Sequence, residues 1–222
     1  MKRSEIERAV AQAAGAFKAA GFRLPPFADW SAQTWRERLD SHAARSGCGW
    51  DVTDYGLGDF ARKGLTLFTL RNGRLADLQA GRGFVYAEKL MHVGHDRLAT
   101  MHRHELKVED IIVRGDGRLT LEIWPDRDGR PDRAARARPL CDGVERELGP
   151  DGRLTLGPGE SVTLTPQLWH AFWGEGGDVV VGEVSSVNDD ETDNLFEEPV
   201  PRFPTIEEDA PATVQLVGER LA

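Results

Sequence analysis

His102 and His104 form an H-x-H pair, Glu109 follows five residues later, and His170 lies far downstream after Thr165-Pro166. On an extended strand, side chains alternate with period two, so the two imidazoles of an H-x-H pair share one face. A carboxylate five positions on joins them once the strand bends, and a histidine from a distant strand completes a three-His, one-Glu set. Imidazole and carboxylate donors suit a divalent first-row metal, and no thiolate is required. His102, His104, Glu109 and His170 are therefore the candidate metal ligands. Their spacing says where the chemistry lies but leaves the reaction open.

Elements able to position these groups are mostly short and β-rich. From Trp50 onward the sequence alternates apolar runs with Gly, Asp and Asn turns: GLTLFTLRNGRL, FVYAEKLMHV, ATMHRHELKVEDIIV, RLTLEIW, RLTL, SVTLTP, WHAFW and VVVGEVSSV. Asn72-Gly73 carries a hairpin signal, Gly115-Asp116-Gly117 marks a tight turn, and Gly157-Pro158-Gly159 marks another. Many short strands without an intervening helical period predict an all-β sandwich or barrel and disfavour a doubly wound α/β fold. The charged stretch 126–138 reads as a mobile surface loop. Before the strands, Ser4 and Glu7 form a capping-box pattern ahead of an apolar stripe of Ile6, Val10, Ala13, Ala14 and Phe17. A second helix is expected over about 31–41, with Trp30, Trp35 and Leu39 as its apolar contacts. The stripe on the first helix must bury against the outside of a sheet or a partner subunit. After Asn188 the chain is acidic and proline-rich and cannot form a core of its own, so it is expected to wrap the barrel through Leu195, Phe196 and Phe203. The organisation predicted is a helical extension over 1–45, a barrel over 46–187 and a wrapping tail over 188–222.

Bulk composition narrows the partners. Over 222 residues the formal net charge is −9, which leaves no basic surplus to neutralise phosphates and argues against nucleic acid. Cys48 and Cys141 are the two cysteines, too few for a disulfide framework and in keeping with a reducing cytoplasm. No apolar run approaches the ~20 residues that span a bilayer, and the N-terminal residues lack the apolar core of a signal peptide.

The order H-x-H-x4-E, then G-D-G, then G-E-S-V-T-L-T-P-Q-L-W-H resembles the two motifs of the cupin (jelly-roll) barrels. Two positions depart from that pattern: Thr165 stands where a Pro is usual, and Gln167 where a Gly is usual. Further along, KRSEIERAV, LPPFADW, GWDVTDYG, GLTLFTLRNG, YAEKLMHV, LWHAFW and GEVSSVNDD together resemble the D-lyxose isomerase family of cupin sugar isomerases, from Met1 to about Asp209. The resemblance implies a cupin β-barrel, an aldose–ketose isomerase acting on D-lyxose and often D-mannose, a bound Mn2+ and a homodimer. The expected partner is a free monosaccharide.

Isomerisation carries a proton between C2 and C1 through an enediol, so it needs an acid/base for the carbon proton and a partner for the hydroxyl proton. Glu183 lies in the otherwise apolar VVVGEVSSV and Lys89 in VYAEKLMHV. A carboxylate or ammonium in such a run is costly without a task or a partner. Glu183 is expected to handle the carbon proton and Lys89 the hydroxyl proton, with the two roles exchangeable. Phe172, Trp173 and Asp193 are the candidate sugar contacts, and the acidic run of Asp189, Asp190 and Asp193 otherwise reads as a solvated loop. On the ligand set alone, an Fe(II) cupin dioxygenase or a non-catalytic sugar-binding cupin stays open.

Overall fold

The computed structural model describes residues 1–189 and 192–221. Two antiparallel sheets face one another. The larger runs in the order β1 (Gly49–Thr53), β2 (Leu65–Asn72), β3 (Tyr86–Val93), β13 (Val179–Ser186), β5 (Glu109–Val113), β11 (Ser161–Leu164), β8 (Leu140–Cys141) and β9 (Val144–Glu145). The smaller runs β10 (Arg153–Leu156), β6 (Arg118–Arg127), β12 (Leu168–Glu175), β4 (Ala99–Arg103) and β14 (Leu195–Phe196), with β7 (Arg130–Pro131) paired to β6. Between them lies one aliphatic core built from alternate residues of each strand: Leu65 and Leu67, Met91 and Val93, Ile111 and Val113, Leu119, Leu121 and Ile123, Phe172, Val179 and Val181. This is the all-β cupin barrel that the strand pattern and the two motifs predict, with an N-terminal helix added.

That helix, α1 (Arg3–Ala19), buries Ile6, Ala9, Val10, Ala13 and Phe17. They pack on the outer face of the larger sheet, against Trp50, Val52, Phe68, Leu90 and Val180. The stripe is thus covered by the chain's own sheet rather than by a partner. β1 is buried along its whole length because Trp50 and Val52 meet α1 on one face while Asp51 and Thr53 on the other are covered by Arg202. The capping box does not form. The N-cap is Lys2, without a side-chain cap bond. Ser4 instead bonds Asp209 through both its amide and its hydroxyl, and Glu7 accepts from the amide and hydroxyl of Thr213. The C-terminal segment therefore engages the Ser4 amide and the Glu7 carboxylate that a local capping box would have paired.

Other local signals give way to longer-range contacts. The second helix is shorter than expected: α2 spans Ala32–Glu37 with Ser31 as its cap, and α3 spans His42–Arg45 with Ser41 as its cap. Leu39, between them, is exposed. Asn72-Gly73 does not close a two-residue hairpin, because β2 and β3 are joined by a longer excursion carrying α4 (Leu75–Gln79). Asn72 is held elsewhere, donating to the carbonyls of Ser46 and Asn188 and accepting from the Asn188 amide. Gly73 has no room for a side chain, since a Cβ there would lie 1.9 Å from the Phe84 carbonyl oxygen. The charged stretch near 126–138 is a hairpin of β6 and β7 closed over Asp128-Gly129, with ion pairs from Arg127 to Asp132 and from Arg133 to Glu197. No helix among the described residues is long and apolar enough to cross a membrane.

The ends of the chain are clasped together. Arg3 is 1% exposed and pairs with Glu208 at 2.7 Å and Glu219 at 2.5 Å. A short helix, α5 (Val217–Leu221), carries Glu219, and Arg220 packs over the Trp35 ring at 3.8 Å. Replacing Arg3 by Met removes a buried charged hydrogen-bond donor from two carboxylates, at a cost of about 1–3 kcal/mol. Urea unfolding of R3M at neutral pH is expected to show a lower midpoint with an unchanged slope, the shift times that slope giving this cost.

Candidate active site

The run ATMHRHELKVEDIIV, which reads as one strand, is two. β4 ends at Arg103 in the smaller sheet, residues 104–108 cross between the layers, and β5 begins at Glu109 in the larger sheet. His102 and His104 therefore approach from one sheet and Glu109 from the other. His170 on β12 pairs directly across from His102, and a bulge follows at once, as the register shifts between His170 and Phe172. Such a bulge re-aims side chains at the rim of a barrel. The turn before β12 links both motifs. Gln167 adopts φ 69°, the left-handed conformation that favours glycine, and its amide donates to the His104 carbonyl at 3.1 Å.

The three imidazoles converge with their ligating nitrogens within 4.8 Å of one another. Each Nδ1 faces a backbone carbonyl: Thr100 at 2.8 Å from His102, Asp193 at 2.9 Å from His104 and Leu168 at 3.0 Å from His170. A carbonyl only accepts, so each Nδ1 carries the proton and each Nε2 presents a lone pair. Nε2 of His104 and of His170 is buried without a hydrogen-bond partner among the described residues. Glu109 Oε1 lies 3.1 Å from His170 Nε2 and 3.5 Å from His104 Nε2. Burial, reinforced by the neighbouring imidazoles, holds His102 well below the usual imidazole range, and burial with the Lys107 ammonium lowers His104. Neutral imidazole lone pairs facing a carboxylate repel it unless a cation lies between them. The donor set therefore fits a divalent metal.

Beside this cluster runs a buried row of alternating charges. Lys107 Nζ lies 2.6 Å from Glu109 Oε2 and 3.1 Å from Glu183 Oε1, and Lys89 Nζ lies 3.2 Å from the same Glu183 oxygen. Asn188 Oδ1 accepts from Lys89 at 2.5 Å and from Lys107 at 3.4 Å, and the Ser185 hydroxyl donates to Glu183. All four charged groups are at most 4% exposed. Lys89 and Glu183 are direct cross-strand partners on β3 and β13. Burial opposes ionisation of Glu183, yet Lys107 and Lys89 outweigh it and hold the carboxyl below its ordinary range. Glu109 is held well below that range against its burial, chiefly by Lys107 and then His104.

The same cavity is walled by Lys89, Lys107, Glu109 and Glu183, by His102 and His104, and by Phe172, Tyr55, Phe196 and Arg202. The Phe196 ring lies 5.7 Å from both His102 and Tyr55. Two expected sugar contacts are elsewhere. His170 and Phe172 point inward on β12, so Trp173, three residues past His170, points outward, half-buried under the Arg153 guanidinium at 5.6 Å. Asp193 is buried and does not line the cavity; it caps the backbone of residues 105–107. It is thus not part of a solvated loop, and Asp190 lies outside the described residues. Lys107 lies in the crossing segment between β4 and β5, where no strand period marks it. Asn188, Tyr55, Asn194, Phe196 and Arg202 lie in loops and in the tail, where no periodicity marks them.

A family model described as D-lyxose isomerase matches residues 1–220. The chain belongs to the D-lyxose isomerase family. Two curated relatives named D-lyxose/D-mannose isomerase support this. That of Serratia proteamaculans is 44% identical over all of this chain and 98% of its own length, and that of Escherichia coli O157:H7 is 42% identical over 99% of this chain and 98% of its own. Among solved structures, the L-ribose isomerase of Acinetobacter sp. DL28 in complex with L-ribose aligns over 93% of this chain and 98% of that chain, with a TM-score of 0.63 and 16% identity. The L-ribose isomerase of Geodermatophilus obscurus aligns over the same shares with a TM-score of 0.63 and 17% identity. At such identity these two likenesses speak for the fold. Family membership makes the protein a sugar aldose–ketose isomerase and sets aside the dioxygenase and the non-catalytic binder.

The two aromatic positions are expected to respond differently to substitution. Trp173→Leu leaves kcat/KM for an aldose substrate within about twofold, whereas Phe196→Ala lowers it about tenfold, as losing ~1.4 kcal/mol of contact does. Steady-state kinetics on the two variants checks both.

Proposed function

We propose that the protein interconverts D-lyxose with D-xylulose, and D-mannose with D-fructose, by proton transfer through an enediol. The observation that carries this reading is Glu183: an ionised carboxylate, buried in the cavity wall, held between two lysines beside a three-histidine cluster. The names of the two curated relatives support the choice of sugars. His102, His104, Glu109 and His170 would hold a divalent cation, Mn2+ by family resemblance. Such a cation, when bound, supplies Lewis-acid stabilisation to the oxygens on which negative charge develops.

The chain's own groups supply the rest. Glu183 takes the proton from C2 and returns it to C1, and Lys89 moves the proton between the hydroxyl and carbonyl oxygens. Lys107 keeps Glu183 and Glu109 ionised and in place. Burial of the whole row excludes water, which strengthens each electrostatic contact and keeps the abstracted proton from exchanging freely. Tyr55, Phe172 and Phe196 give the sugar apolar surface.

Purified protein supplied with Mn2+ and D-lyxose or D-mannose is expected to form the matching ketose, and no ketose from either sugar defeats the proposal. Glu183→Gln is expected to lower kcat by at least about 10²-fold, within the range general acid–base catalysis contributes, while metal content by elemental analysis stays at the wild-type level. Wild-type turnover in that variant removes Glu183 from the role of base.

We also propose a cytoplasmic homodimer. The location rests on the two free cysteines, Cys48 buried and Cys141 partly so. The dimer no longer draws on the α1 stripe. Its support is the family resemblance and an exposed apolar strip on the outer face of the larger sheet, where Tyr86, Val108 and Val184 lie together beyond the edge of α1. Light scattering is expected to give twice the chain mass for the wild type and a monomer for Val184→Glu, and a monomeric wild type overturns the claim.

A further inference from the structure

We infer that Asp193 is a positioning residue of the isomerase site, acting through Lys107 and His104. This rests on the proposed roles of Lys107 and the histidine cluster. Asp193 is 5% exposed, and among the described residues no cationic side chain lies within 4.0 Å of its carboxylate. Its charge is met by backbone amides instead. Oδ1 accepts from the amides of Glu105 at 2.9 Å and Leu106 at 2.8 Å, and Oδ2 from that of Lys107 at 2.9 Å. Those three amides belong to the segment that crosses between the sheets, where no strand ladder is available to take them. A carboxylate accepting three amides fixes that segment's path, because each of the three would otherwise be left to water.

The path matters because Lys107 is on it. Its ammonium must reach 2.6 Å from Glu109 and 3.1 Å from Glu183. The Asp193 carbonyl meanwhile accepts from His104 Nδ1, which sets the tautomer that turns Nε2 inward. One residue of the tail thus holds the lysine between the two carboxylates and also orients a candidate ligand. Asp193 itself faces neither the cavity nor the reacting atoms.

The test is a double-mutant cycle on the Mn2+-supplied enzyme, with amide exchange measured on the protein without added metal. Asp193→Ala is expected to lower kcat about 10²-fold, the cost of a misplacement near 1 Å, with KM little changed. In a Lys107→Met background the same substitution is expected to change kcat less than about threefold, because the lysine it positions is already gone. Exchange of the 105–107 amides is expected to quicken at least about tenfold in D193A. Should D193A fail to fold, Asp193→Asn carries the test: it retains Oδ1 for Glu105 and Leu106, loses the acceptor for the Lys107 amide, and is expected to give an intermediate kcat. Equal losses in both backgrounds, unaltered exchange, or wild-type kcat in D193A or D193N overturn the inference. Wild-type kcat in K107M instead sinks the role proposed for Lys107, so the two failures are told apart.

Discussion

The ammonium of Lys107, set between Glu109 and Glu183, is the contact on which the site depends. Both carboxylates belong to the interior of one sheet, on the adjacent strands β5 and β13, and both are desolvated. Two such groups side by side would not both ionise, since each raises the other's pKa and burial raises both. A cation within 3.1 Å of each reverses that balance. With Lys89 at the far side of Glu183, the row alternates in sign and is locally neutral. Under the proposed function, a proton taken up by Glu183 leaves the row with one positive charge, which offsets the negative charge the substrate has gained.

Lys89 reaches Glu183 from within the β3 ladder, whereas Lys107 comes from the segment that crosses between the sheets. The chain leaves the smaller sheet after Arg103 and enters the larger at Glu109, so the side chains between come from backbone belonging to neither sheet. The segment is free to aim Lys107 inward and to leave Leu106 exposed. It also brings His104, at its start, and Glu109, just past its end, to 3.5 Å. Meeting of ions and crossing of sheets are thus one structural event. The amides of that segment, lacking a ladder, fall to the tail.

What could be read from the sequence followed from periodicity. H-x-H on a strand, the alternation in VVVGEVSSV and the 3.6-residue stripe of α1 each specify a face, and those faces came out as expected because a buried face leaves the chain little choice. Trp173 shows the same rule misapplied: it is an odd number of residues from His170 and so had to point away. Ser4 and Glu7 show a local rule overridden, since partners more than two hundred residues away took the Ser4 amide and the Glu7 carboxylate. Asn72-Gly73 is similar, its amide engaged by Ser46 and Asn188 before a hairpin could claim it. Lys107, Asn188 and Asp193 sit where the chain has no period, and their roles depend on contacts across the fold that no local pattern encodes.

The acidic tail reads by composition as a covering, yet it is bound at both ends of its path by specific partners. Near its start Leu195 and Phe196 add a strand beside β4, placing an aromatic ring over His102. Further along, Arg202 pairs with buried Asp51, and Glu208 and Glu219 close on Arg3. The ion row lies on β3, β13 and the entry to β5, whereas much of the opposite wall comes from the tail and from the end of β1 and the loop after it, through Phe196, Arg202, Thr53 and Tyr55. Chemistry and cavity shape are therefore carried by different parts of the chain. Moving a proton between two carbons is the same task for every aldose, but telling one epimer or chain length from another depends on where the distal hydroxyls meet the wall. Under the proposed function, selectivity among sugars would fall to the segment with the least secondary structure. In place of a core of its own, it is held by the strand beside β4, by the Arg202–Asp51 pair and by the clasp at Arg3.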